Sequence, residues 1–210
     1  TALVLSTRFV GDMVGTLKKG RHPFSICFYP ERSRGKLVSW LGSDFTYVPQ
    51  DGDGLGEKMK NAFIRSFGKG FERVLIIGSD IPDLGNNIIE DAFSSLDTND
   101  AVVGPAADGG YYLLGLKDTT GLPNIFLGIA WGTDSVFRET TAVLKETGLS
   151  VHVLPEWRDT DTLEDLRSLV VRNRETEFRY SQTMSYIMNN NQLYSLIMRE
   201  YPCLWEPRDT

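Results

Sequence analysis

Four aspartates and two glycine-rich stretches carry the residue types from which a reaction site can be built. Asp80 follows the apolar run Val74-Leu75-Ile76-Ile77 and the pair Gly78-Ser79, and precedes Ile81-Pro82-Asp83. Four consecutive branched aliphatic residues read as a short strand buried on both faces, as in a parallel sheet covered by helices. Ligands of open α/β sheets bind beyond the carboxyl ends of the strands, so an acid here is placed to meet a ligand or a metal. Pro82 has no amide hydrogen, which ends the strand before it. The same residues also make an ordinary turn, and Asp80 alone does not separate the two readings. Asp159 and Asp161 stand two residues apart after a second strand-like stretch at residues 151–154. If that strand end neighbours Asp80, the carboxylates repel unless they share a cation. Hard oxygen ligands with open positions suit Mg2+ or Mn2+ bridging a diphosphate.

The glycines are the second resource. Gln50-Asp51-Gly52-Asp53-Gly54-Leu55-Gly56 leads into Met59, Ala62, Phe63 and Phe67 at helical spacing. Three glycines in five residues specify positive φ or a close approach of backbone to something. A loop of this kind can hold an anion on the free amides of the helix that follows. Its spacing is neither a P-loop nor a dinucleotide fingerprint, and it lacks the terminal glutamate of an EF-hand, so a plain loop competes with that reading. Asp108-Gly109-Gly110 lies between two β-prone runs, with Tyr111-Tyr112 after it. It is a hairpin signal as much as a site signal.

Elements must position these groups. Leu5, Phe9, Val10, Met13, Val14 and Leu17 put a helix over residues 2–17. Strands are predicted at residues 24–29, 45–48 and 101–103, and a helix at 88–96; residues 36–41 are too short to assign. Thr133, after Trp131-Gly132, is a good N-cap for a helix to Glu146. Thr162 and Asp165 make a capping box for another. Two short amphipathic helices follow residue 176, and they either cover the domain's own flank or form a homodimer contact.

Composition narrows the class. With 41% hydrophobic and 24% charged residues in 210, the chain is an ordinary soluble globular protein with one sizeable core. A net charge of -6 argues against nucleic acid as a partner. Two histidines, His22 and His152, supply little for triads or metal clusters. Cys27 and Cys203 read as free buried thiols of a reducing compartment. No apolar run approaches the roughly twenty residues of a membrane span, and no signal peptide is visible, so the cytoplasm is the expected location.

Taken together, the segments Leu55-Gly56-Glu57-Lys58-Met59, Ile77-Gly78-Ser79-Asp80-Ile81-Pro82, Gly104-Pro105-Ala106-Ala107-Asp108-Gly109-Gly110-Tyr111-Tyr112-Leu113, Gly128-Ile129-Ala130-Trp131-Gly132-Thr133 and Asp159-Thr160-Asp161-Thr162-Leu163-Glu164-Asp165-Leu166 resemble, in order, the bacterial DUF2064 family. The resemblance spans residues 2–169. It implies an α/β three-layer sandwich with a mixed, mostly parallel sheet, the GT-A nucleotide-diphospho-sugar transferase fold, over residues 1–170, with a helical extension at 171–210. It implies glycosyl transfer from a nucleotide-diphospho-sugar to a small-molecule acceptor. Asp80 and Asp161 are then the Mg2+ or Mn2+ ligands, and Asp108 or Asp159 the base. Gln50, Gly54, Gly56, Gly109, Gly110, Tyr111, Trp131 and Thr133 are the substrate contacts. A nucleotidyltransferase releasing pyrophosphate and a non-enzymatic nucleotide-binding scaffold are the alternatives. Family members begin with a strand and a basic loop that match no position here, so either an N-terminal segment ahead of Thr1 is expected, the favoured reading because that strand is central to the sheet, or nucleotide binding is altered.

Overall fold

A computed structural model describes residues 2–118 and 125–199. They fall into two compact units. The first comprises residues 2–18, 79–84 and 158–199, and the second residues 19–78 and the described part of 85–157.

The second unit holds the strands. A parallel pair, β1 (Ser25–Phe28) and β2 (Thr46–Pro49), flanks α2 (Arg34–Leu41), the stretch too short to assign from sequence. A four-stranded sheet has the order β3-β5-β4-β6, formed by β3 (Arg73–Ile77), β4 (Ala101–Pro105), β5 (Tyr111–Lys117) and β6 (Val151–Val153). β4 runs parallel to β6 and antiparallel to β5, which is antiparallel to β3. Three strands therefore point one way and β5 the other, a mixed sheet. The core lies on the central strands: Val103, Leu114 and Leu116 are fully buried against Phe63 of α3 (Leu55–Phe67) and Leu144 of α5 (Val136–Glu146). The apolar run at 74–77 is not buried on both faces as expected. Among the described residues β3 pairs only with β5, and every residue of it is half-buried, because an edge strand leaves one flank uncovered. α4 (Asn86–Ser95) follows, with Ile88, Ile89 and Ala92 inward. Cys27 is exposed on β1, not buried; Cys203 lies outside the described residues.

The first unit is helical. α1 (Ala2–Lys19), α6 (Leu163–Arg172), α7 (Gln182–Asn189) and α8 (Asn191–Met198) share one core of Leu5, Phe9, Leu166, Leu169, Met184, Ile187 and Ile197. A boundary at residue 170 falls inside α6, and the helices beyond it pack with α1. The amides of Gln182 and Thr183 both donate to the Asp12 carboxylate at 2.9 Å. An acid of α1 thus satisfies the first free donors of α7 and joins the two helices.

α6 begins as the sequence predicts. Thr162 is its N-cap: the Asp165 amide donates to Thr162 Oγ1 at 3.2 Å, and the Thr162 amide donates to Asp165 Oδ2 at 3.0 Å. At its other end, Arg172 donates from Nε and Nη2 to Asp83 at 2.7 and 2.9 Å, and Asn173 adds a bond at 2.6 Å. Only 2% of the Asp83 side chain is exposed.

Two outcomes are expected. Removing one partner of a buried ion pair strands the other, so Asp83→Ala should cost about 3 kcal/mol in urea unfolding. Thr162→Ala should cost about 1 kcal/mol at pH 7 through the lost cap. Burial raises the Asp165 carboxyl, but the Thr162 donors and Arg158 hold it below the usual value. A depressed carboxylate stabilises above its unfolded value and loses that contribution as pH falls through the folded one, so the deficit should shrink in acid.

Candidate functional site

Within the first unit, two acid-bearing segments meet through their backbones. The Thr160 amide donates to the Asp80 carbonyl at 2.9 Å, laying the turn after β3 alongside residues 159–161. The sequence left this adjacency conditional, and a single backbone bond supplies it. Asp80 and Asp159 are half-buried, and Asp161 is exposed. Asp83, to which the sequence assigns no role, holds Asp80's segment onto α6. No local signal finds it, since its partners Arg172 and Asn173 lie 89 and 90 residues further on.

Among the described residues, no group of three or more His, Cys, Asp or Glu is arranged to hold a metal ion. Asp80 and Asp161 offer a smaller set of hard oxygen donors. That chemistry fits Mg2+ or Mn2+, which bind through one or two carboxylates and keep other positions for water and phosphate oxygens.

The remaining candidates lie in the second unit. Gly56, in the first turn of α3, is buried under Trp131: a Cβ there would stand 2.7 Å from the indole ring. The close approach that the glycine permits is thus that of Trp131, which covers its surface. The Asp53 amide at the same helix start is taken by Glu57 Oε2 at 2.8 Å, so α3's own side chain occupies a donor that an anion would use. Gly54 is open, with nothing within 4 Å of its Cβ position, and Gln50 is exposed.

Asp108-Gly109-Gly110 forms the β4–β5 hairpin turn, in which the Gly110 amide donates to Asp108 Oδ1 at 2.8 Å. Gly109 has φ +90°, and a Cβ on it would meet the Asp134 carbonyl oxygen at 2.2 Å. The Phe137 amide donates to the Gly109 carbonyl at 2.9 Å, so the hairpin is tied to the start of α5. Both tyrosines after it are structural in their bonding. Tyr111 donates to Met59 Sδ at 3.7 Å and meets Trp131 edge-on, and burial pushes its hydroxyl well above the usual range. Tyr112 donates to the Pro155 carbonyl at 3.1 Å and is pushed up to about 12 by burial. Neither phenol can act as a base at neutral pH.

Thr133 is not the N-cap of α5. Its Oγ1 donates to the Ala130 carbonyl at 2.8 Å and lies 2.7 Å from Ser135 Oγ, so the hydroxyl is spent inside the loop and the helix starts later, after Ser135. Glu139 instead fixes this loop. Its Oε2 accepts the Ala130 amide at 2.8 Å and its Oε1 accepts Ser135 Oγ–H at 2.7 Å. The Ala130 and Ser135 donors hold its carboxyl below the usual value. Ser135 and Glu139, four apart at a helix start, were the overlooked signal.

An α/β unit with a mixed sheet, a tied hairpin turn and a separate pair of acidic turns defines the class. Residues 13–133 match the family described as an uncharacterized protein conserved in bacteria, DUF2064, and the chain belongs to that family. It is 37% identical to a crystal structure from Desulfovibrio desulfuricans G20 described as a "putative nucleotide-diphospho-sugar transferase"; the match covers 94% of this chain and 85% of that one, with a TM-score of 0.89. The fold is thus that of a nucleotide-diphospho-sugar transferase. Rv0371c of Mycobacterium tuberculosis H37Rv, at 14% identity and a TM-score of 0.52 over 77% of this chain and 82% of that one, shares the fold. A comparison with curated protein sequences finds no match. No described helix is long and apolar enough to cross a membrane.

The contact between Gly56 and Trp131 gives a sharp test. Gly56→Ala should lose about 1–3 kcal/mol by overpacking and change tryptophan fluorescence. Gly54→Ala, in open space two residues earlier, should do neither.

Proposed function

We propose that the protein transfers a glycosyl group from a nucleotide-diphospho-sugar to an acceptor hydroxyl. The observation that carries the reading is the backbone bond from Thr160 to Asp80, which puts two acidic turns side by side in one unit. The likeness to the Desulfovibrio structure supports it.

Asp80 and Asp161 are the residues we assign to a divalent cation. When bound, such a cation offsets the charge that develops on a departing diphosphate. In the reaction, the acceptor oxygen forms a bond to the anomeric carbon, and the bond from that carbon to the diphosphate oxygen breaks. The nucleoside diphosphate leaves with the electron pair. If configuration inverts, the acceptor proton needs a nearby base. Asp159 is our first assignment, since it shares a turn with the metal-binding acid. Asp108 is the second, its Oδ1 being engaged by the Gly110 amide. In the second unit we assign substrate contacts to Gln50, Gly54 and Gly110, to the exposed surface of Thr133 other than its hydroxyl, and to the face of Trp131 turned away from Gly56.

A thermal-shift screen of UDP-, GDP-, CDP-, ADP- and TDP-sugars with and without Mn2+ tests the reading, because a ligand that prefers the native state raises its stability. A Mn2+-dependent rise with one base is expected. Asp80→Ala should abolish that rise and lower turnover by at least about a hundredfold while leaving the unfolding midpoint in place. Pyrophosphate release from a nucleoside triphosphate, with no sugar nucleotide bound, would replace glycosyl transfer by nucleotidyl transfer. Binding without turnover would make the protein a non-enzymatic nucleotide binder.

A further inference from the structure

One side chain, that of Glu139, ties together the two ends of loop 130–135. Trp131 and Thr133 project from it, and neither has a cap, a strand or a helix to hold its backbone. The Glu139 carboxylate takes the Ala130 amide on one oxygen and the Ser135 hydroxyl on the other, at 2.8 and 2.7 Å, and so closes both ends of the loop. Ser135 is buried, and the Thr133 hydroxyl donates to the Ala130 carbonyl at 2.8 Å, so the second projecting residue is tied to the end of the loop that Glu139 holds. Between these ends Trp131 is wedged onto Gly56 and against the edge of Tyr111.

We infer that Glu139 is a positioning residue for substrate, setting Trp131 and Thr133 at the angle from which they meet the sugar nucleotide. The inference rests on the proposed transferase reading, and on the substrate contacts assigned there to Trp131 and Thr133. Glu139 itself touches neither substrate nor reacting atoms. Its carboxylate is consumed by Ala130 and Ser135, and its effect passes through the loop. Charge-assisted bonds of this kind are about twice as strong as neutral ones, which makes one carboxylate sufficient for a six-residue loop.

The experiment compares wild type, Glu139→Ala, Glu139→Gln and Ser135→Ala by donor titration in the presence of Mn2+, with amide hydrogen exchange of residues 130–135. Glu139→Ala should weaken the selected sugar nucleotide about tenfold, as expected for losing charged hydrogen bonds. Exchange should quicken in this loop and not in the β4–β5 sheet. Glu139→Gln should restore most of the affinity, because its amide oxygen still accepts from Ala130 and its nitrogen can donate to Ser135 Oγ. Ser135→Ala, which removes one end of the clamp alone, should fall between and serves if Glu139→Ala fails to fold. Faster exchange with unchanged affinity would overturn the inference, leaving Glu139 a structural residue only. Unchanged exchange would overturn it as well. If wild type binds no sugar nucleotide, it is the transferase reading that fails, a separate result from a wild type that binds and a Glu139→Ala variant that binds equally well.

Discussion

The first unit depends on one buried carboxylate. Asp83 has almost no contact with water and is held by two nitrogens of Arg172 and one of Asn173. It belongs to a six-residue segment, 79–84, that belongs by its contacts with the helices, although the chain on either side of it builds the sheet. Its apolar side chains and one ion pair hold it there. Ile81 and Leu84 are fully buried, and the ion pair fixes the one polar residue between them and the helix end. Asp80 then has a defined backbone position, from which its carbonyl accepts the Thr160 amide. The backbone position of Asp80 thus follows from a neighbouring acid whose own carboxylate is used up by a helix end.

The second unit repeats the device with Glu139, which holds a loop, as Asp12 in the first unit joins two helices. In each case a carboxylate receives two or more donors that would otherwise be left unpaired. An acid placed near a site is therefore as often a strut as a reagent. What distinguishes the two is the donors around it: Asp83, Glu139 and Asp12 are used up by the protein, whereas the exposed Asp161 turns its side chain to solvent.

This explains what could be read from the chain. The helix over residues 2–17, the capping box at Thr162 and the hairpin at Asp108-Gly109-Gly110 rest on local chemistry, and local chemistry survives folding. The family, too, was legible, since its motifs are contiguous. The run at 74–77 reads as buried on both faces because four aliphatic residues look alike on a strand with one neighbour, as β3 is among the described residues, and on a strand with two. Thr133 was misassigned because a hydroxyl that can cap a helix can equally be spent inside a loop. Gly56 looked like a place for a ligand because the sequence shows that something approaches closely, but not that the approaching group is Trp131. The roles of Asp83 and Glu139 depend on partners 89 and nine residues away, respectively, and no spacing rule reaches the first.

The stacking of Trp131 on Gly56 also couples two positions 75 apart in the chain. With an indole at 131, position 56 has room for no side chain; with a smaller residue at 131, the space opens and the exclusion lifts. Neither position can then drift freely on its own, and sequence change in one has to wait for, or be accompanied by, change in the other. Libraries that vary position 56 while keeping the tryptophan will sample mostly destabilised variants, whereas paired variation of 56 and 131 reaches combinations that neither single change favours.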